Sequence, residues 1–261
     1  VLYVSHAAPI FAMNDAVRIA EMRAWGTHLA KPAGILVMTP HYASRRLEVG
    51  ATGRGFAMYD LPGPIKRRIP RDLDYPTPPS EALASRVAAL LGSSSAPVGR
   101  AEGRRGFDHT TWMPLLCLFP TAATPTLEIA YPYLSDAQLF ALGRRLAPLR
   151  DEGILFVASG GMTHNLASAD LSGAGEPPPW SREFDQWSAE TVAARDVDAL
   201  VDWRARAPAQ ALAHPDDGAH YRVLLVALGV ALGSRAPVSR VSFPVTGFES
   251  TLSKRSIELG M

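Results

Sequence analysis

Four short stretches of the chain, Val1–Ser5, Gly34–Thr39, Thr126–Ala130 and Gly153–Ser159, are almost continuously apolar and are bounded by Gly, Pro or polar residues. Runs this short and this apolar suit strands buried on both faces, the habit of a largely parallel sheet. Val238–Pro244 alternates more and predicts an edge strand, and Leu47–Ala51 predicts another strand. Between these runs, apolar residues recur at helical spacing in Asn14–Leu29, Glu81–Leu91, Asp136–Leu149, Arg182–Ala194 and Tyr221–Leu232. Ser80 before Glu81 and Ser135 before Asp136 each set a capping hydroxyl ahead of an acid in the first helical turn. Strands alternating with helices predict an α/β fold with a central, largely parallel or mixed sheet flanked by helices. No internal repeat is visible. The Pro-rich stretches Leu61–Pro79 and Gly173–Pro179 are too short to link domains, so residues 1–261 read as one domain.

Composition narrows the class without choosing a function. Hydrophobic residues make up 47% and charged residues 20% of the 261, an ordinary globular balance. A formal charge of +1 supplies no field for nucleic acid or an anionic membrane, and neither is expected as a partner. No run approaches the roughly 20 apolar residues that span a bilayer, and Val1–Val4 read as strand rather than as a signal peptide. A cytoplasmic setting is the expectation. The single Cys117 excludes an internal disulfide framework and a cysteine-based zinc cluster, and its apolar surroundings predict a buried, unreactive thiol.

The histidines change the picture. His6 directly follows the first predicted strand, His41 the second, and His164 another. In an open parallel sheet, ligands gather at the crevice outside the carboxyl ends of the strands. Three imidazoles at three such ends, far apart in sequence, are therefore expected to converge. His109, ahead of a helix, and His214, between two helical stretches, are flanked by backbone-fixing residues that could aim them into the same crevice. Imidazole ligands suit iron, zinc, copper and nickel. His28 and His220, near a helix end and a helix start, read as ordinary structural residues. Taken this far, the pattern predicts a metal-dependent, histidine-rich α/β enzyme.

Five segments carry a resemblance: Ser5-His6-Ala7-Ala8-Pro9, Pro40-His41, Asp108-His109-x-x-Trp112-x-Pro114, Ser159-Gly160-x-x-x-His164-Asn165 and Ala211-Leu212-Ala213-His214-Pro215. Together with Tyr59-Asp60-Leu61-Pro62 and the tail Gly247-Phe248-Glu249-Ser250, they resemble the class III (LigB-type) extradiol ring-cleavage dioxygenases, nearest the 4,5-DOPA dioxygenase extradiol branch. The likeness covers nearly the whole chain and implies a single catalytic domain. It implies metal ligands at His6, His41, His164 and His214, with His164 counted both as ligand and as base. His109 is the candidate proton donor, oriented by Asp108, and Glu249 is the candidate carboxylate if an oxygen ligand is added, the alternative being a local cap or ion pair. Iron(II) is the metal implied for activity, with zinc(II) able to occupy the same ligands. The implied reaction opens the ring of a DOPA-like catechol with dioxygen to a semialdehyde. Where the family often has glycine, this chain has Ala7 and Thr110, which bears on substrate fit more than on metal binding.

Other residues have a weaker claim. Trp112, Tyr59 and Phe248 could stack on an aromatic substrate or belong to the core. Lys66, Arg67, Arg68 and Arg71 could draw in a substrate carboxylate, but a solvated loop suits them better, as it does Arg100, Arg104 and Arg105. Two alternatives use the same pattern: a zinc-dependent hydrolase with these histidines, and a non-catalytic interaction protein of the same fold. Neither the identity of the catechol nor the oligomeric state can be read from the residues.

Overall fold

The computed structural model describes residues 1–6, 15–61, 73–93, 95–101, 106–170 and 175–260. Eight strands form one mixed sheet: β1 (Leu2–Ser5), β2 (Gly34–Ser44), β3 (Glu48–Val49), β4 (Gly99–Arg100), β5 (Thr126–Pro132), β6 (Ile154–Gly160), β7 (Arg240–Val245) and β10 (Ser256–Gly260). Their order is β4-β3-β5-β2-β6-β1-β10-β7. The four central strands, β5, β2, β6 and β1, run parallel, and β10 and β7 extend the sheet antiparallel on one side. A separate hairpin pairs β8 (Phe248–Glu249) with β9 (Leu252–Ser253).

The all-apolar runs become the central strands because both of their faces are covered. Tyr3, Leu36, Met38, Leu127, Ile129 and Phe156 join one core layer. Leu2, Val4, Ile35, Val37 and Val157, displaced by one residue, join the other. This is the period-two alternation of a pleated strand with no solvent side. The first layer is covered by α2 (Glu81–Leu91), α4 (Asp136–Leu146), α6 (Pro179–Ala194) and α10 (Ala219–Gly233). The second is covered by α1 (Ala16–His28) and α3 (His109–Leu118). Short helices α5 (Pro148–Asp151), α7 (Val197–Val201), α8 (Trp203–Arg206) and α9 (Gln210–Ala213) complete the set.

Local chemistry sets several boundaries. The helix expected over Asp136–Leu149 is broken, because Pro148 has no N–H to continue it and starts α5 instead. Ser135 and Gln138 close a reciprocal capping box at the start of α4. Helices α4 and α10 touch backbone to backbone. A Cβ at Gly143 would lie 2.1 Å from the Val226 carbonyl oxygen, and one at Gly229 would lie 2.2 Å from that of Phe140. The edge strand expected at Val238–Pro244 is β7, at the sheet margin. The pairing of β2 with β5 slips between Thr39 and Ala43, so Pro40, His41 and Tyr42 leave the ladder. Among the described residues, no helix is long and apolar enough to cross a membrane.

Candidate active site

The carboxyl ends of the central strands carry a cluster of imidazoles. His6 follows β1, and its backbone N–H bonds to the Gly160 carbonyl at the end of β6. His41 stands where β2 leaves its ladder, exposed, with its N–H on the Thr39 hydroxyl at 3.2 Å. His220 lies in the first turn of α10, buried. Its carbonyl oxygen accepts from Tyr3 Oη at 3.1 Å and from the Gly161 N–H at 3.0 Å. A Cβ at Gly160 would come within 2.1 Å of that oxygen, so only glycine lets β6 and α10 approach this closely.

These three rings converge. His41 and His220 bring their Nε2 atoms to 3.3 Å. The His6 ring centroid is 5.5 Å from that of His41 and 5.2 Å from that of His220. Two donors of one tetrahedral ion with bonds of about 2.0–2.1 Å lie roughly 3.3–3.4 Å apart, so the His41–His220 separation fits a shared cation. The protonation pattern fits as well. Ser159 gives its only hydroxyl proton to the Thr110 carbonyl at 2.5 Å, so it must accept from His6 Nδ1 at 3.1 Å. That leaves His6 Nε2 as the unprotonated nitrogen. Burial and the surrounding imidazoles hold the pKa values of His6 and His220 well below the usual histidine range; His41 is exposed as a residue, but its ring is shielded from water among the other imidazoles, and that desolvation lowers its pKa too. All three are neutral donors at neutral pH, as a metal requires.

A histidine–carboxylate pair flanks the centre on each side. His109, the first residue of α3, is gripped twice by Asp60: Nδ1 meets Oδ2 at 3.0 Å, and the backbone N–H donates to Oδ1 at 3.0 Å. Its ring centroid is 4.9 Å from that of His41. On the other side, His164 stacks on His220 with centroids 3.4 Å apart, and its Nδ1 lies 3.4 Å from Asp216 Oδ2. The His164 interaction carries Asp216 down to about 2, against its partial burial. Burial works to raise the pKa of Asp60, but the hydrogen bonds from His109 bring it below the usual range.

The first turn of α3 ties these parts together. His41 N–H donates to Thr39 Oγ1, which lies 2.6 Å from Thr110 Oγ1. Thr110 Oγ1 in turn donates to Asp108 Oδ1 at 2.5 Å. Since the Thr110 proton goes to the carboxylate, Thr39 is the donor in the middle of the chain. Asp108 thus caps α3 and anchors this relay, and Asp60 takes the place expected for it beside His109.

The expected residues divide accordingly. The structure brings His6, His41, His109 and His164 around one cavity of about 200 Å³. It does not bring His214 there. His214 is buried, with Nε2 2.9 Å from the Met162 carbonyl and its ring against Phe184, Trp203 and Tyr221, and burial lowers its pKa to about 4. That ring braces the loop carrying His164, whose own N–H bonds to the Ala213 carbonyl. Glu249 also stands apart. It is buried beside Arg18, 3.7 Å from Nη1, and burial pushes its pKa up to about 7. Trp112 is fully buried core, packed against Tyr59. Arg100 pairs with Glu81 at the surface. Ala7, Ala8, Pro9, Lys66, Arg67, Arg68, Arg71, Arg104 and Arg105 lie outside the described residues.

Two members were missed from sequence, His220 and Asp60. A signal existed for His220, because it opens a helix apolar on all sides. Such a helix is buried, so a histidine in its first turn is buried with it. Asp60 lay in a motif already noted, but nothing local linked it to a residue 49 positions away.

Comparison with known proteins identifies the family. Residues 2–251 match the family described as the catalytic LigB subunit of aromatic ring-opening dioxygenase. The chain is 30% identical to a 4,5-DOPA dioxygenase extradiol of Beta vulgaris over 239 residues, 88% of this chain and 85% of that one. It is 30% identical to the Escherichia coli (strain K12) protein of the same description over 271 residues, covering 99% and 94%. The crystal structure of an uncharacterized protein, JW3007, from Escherichia coli K12 superposes with a TM-score of 0.77 at 29% identity, covering 99% of this chain and 98% of that one.

Proposed function

The chain belongs to the LigB family of aromatic ring-opening dioxygenases, and from that premise we propose that it opens a DOPA-like catechol with dioxygen at an iron(II) centre held by His6, His41 and His220. The single observation that carries the proposal is the meeting of three neutral imidazoles at the sheet edge, with His41 and His220 Nε2 atoms 3.3 Å apart. His164, at the margin of this group, is the further ligand or the base. Zinc(II) satisfies the same donors, so iron is assigned here by the chemistry of ring opening. Iron(II), when bound, supplies neighbouring open positions at which a diol and dioxygen can meet.

The protein's own residues handle the protons. A catechol must lose hydroxyl protons as it chelates, and His164 stands beside the centre to accept one. Its Nδ1 lies 3.4 Å from Asp216 Oδ2, so a carboxylate stands beside the ring that takes the proton. On the opposite side, Asp60 fixes His109 Nδ1 as a donor to the carboxylate, leaving Nε2 as the exchanging atom. Held in this way, His109 Nε2 is placed to return a proton as the ring opens. A reducing cytoplasm, which keeps iron ferrous, belongs to the same proposal.

Loading the protein with iron(II) under argon and then admitting oxygen with a panel of catechols tests this. Oxygen uptake together with a yellow ring-opened product is expected. If metal binds and no catechol drives oxygen uptake, the hydrolase or the interaction protein takes its place.

A further inference from the structure

We infer that the mouth of the histidine cavity holds an apolar subsite, built by Leu166 and Leu252, that receives a hydrocarbon substituent on the catechol ring. This rests on the ring-opening function proposed above and departs from its DOPA-like substrate, assigning to the ring a hydrocarbon substituent in place of a charged amino-acid side chain.

Leu166 is the first residue of the 3₁₀ turn Leu166–Ser168, two positions after His164, and it lines the cavity while remaining 50% exposed. An exposed leucine is ordinary by itself. This one is held in place. Asn165 Oδ1 accepts from the Ser168 N–H at 3.2 Å, Asn165 Nδ2 donates to the Leu212 carbonyl at 2.8 Å, and the Asn165 carbonyl accepts from Thr251 Oγ1 at 3.1 Å. The turn therefore presents Leu166 at the mouth at small cost in ordering entropy, which is how a binding surface is pre-organised.

Leu252, on β9, lines the same cavity and is buried. The hydroxyls nearby are already used inside the protein. Ser253 Oγ donates to Asp185 Oδ1 at 2.5 Å, and Ser5 Oγ donates to the Ser253 carbonyl at 2.8 Å. Thr163 Oγ1 donates to the Thr251 carbonyl and accepts from the Ser253 N–H, both at 2.8 Å. The described wall away from the histidines thus presents carbon to a ligand. A diol placed on the imidazoles leaves the rest of its ring against this wall, and a substituent leaving the cavity passes Leu166.

The test is anaerobic binding of catechol and 4-methyl-, 4-ethyl- and 4-propylcatechol to iron(II)-loaded protein, followed by tryptophan fluorescence. Affinity is expected to rise about twofold to fourfold for each added carbon, the range set by burying a methylene wholly or in part. In Leu166→Ser the gain per carbon falls to roughly 1.5-fold or less, and in Leu166→Met it is retained. Leu166 is half exposed, so these changes leave the fold intact. A flat series in the unaltered protein, an unchanged slope in Leu166→Ser, or tighter binding of DOPA than of 4-propylcatechol overturns the inference. Admitting oxygen afterwards separates the two proposals. Oxygen uptake with a flat series sinks only the subsite, and a rising series without uptake sinks only the ring opening.

Discussion

At the scale of single residues, Asp60 has the most to do with the least. Its two oxygens hold both the backbone and the ring of His109, so one carboxylate sets position and tautomer together. Asp60→Asn keeps the shape but replaces one carboxylate oxygen with an amide that cannot accept, so the grip on backbone and ring is no longer made by two acceptors. Turnover is expected to fall about tenfold to a hundredfold while bound metal, measured by elemental analysis, stays unchanged. Unaltered turnover would show that His109 needs no such partner. Four of the site histidines were legible in the sequence because each stands just beyond a strand or opens a helix. His214 looked equivalent to them, and its sequence position is indeed near the site. What sequence could not supply was the direction of its ring, which turns to the Met162 carbonyl and into an aromatic pocket.

Between elements, the site depends on contacts that no local pattern announces. Arg18 of α1 is fully buried, donates to the Ser5 carbonyl beside His6, and faces Glu249 of β8. Taking away one member of a buried pair strands the other. Arg18→Met is expected to cost about 3–5 kcal/mol at pH 8, measured by denaturant unfolding. The sign with pH follows from Glu249, whose pKa burial already raises to about 7 from an ordinary 4.5. Arg18 holds that carboxyl down against burial, so its removal raises the pKa further; as pH falls from alkaline values towards 7 the variant's carboxyl is protonated before the parent's, and the deficit shrinks and then levels off below 7, where both are neutral. A deficit that does not change with pH would show that Glu249 is not the stranded group. Gly160 marks the other critical contact. Gly160→Ala forces a Cβ onto the His220 carbonyl oxygen, 2.1 Å away, and must push α10 off β6. Loss of several kcal/mol of stability, together with loss of metal uptake, is expected. Uptake retained at the level of the unaltered protein would exclude His220 as a ligand.

Over the whole molecule, the central sheet was legible because strands covered on both faces write themselves as unbroken apolar runs. The C-terminal strand β10 was not, since Ser256–Gly260 contains Glu258, is only five residues long and gains its burial from β1 and β7. Tertiary pairing, rather than local pattern, decides such a strand. On the proposed ligand set, a cation joining β1, β2 and α10 would also tie the molecule together, since it would bind the folded chain and not the open one. Chelation is expected to lower the melting temperature by about 5–15 °C, the effect of an ion held at a hundred to a thousand times its dissociation constant. Restoring the metal should return it. An unchanged melting temperature in protein shown to have lost its ion would place the cation away from these three elements.

The position of β1 has a temporal consequence. It lies between β6 and β10, so it is flanked by segments made far later than it is, with Leu2 opposite Val157 and Glu258. At about 5–20 residues per second, the ribosome needs roughly 10–50 s to deliver the second of those neighbours. On the ligand set proposed above, capture of an ion by all three imidazoles waits until β10 has been made and β1 is held on both sides.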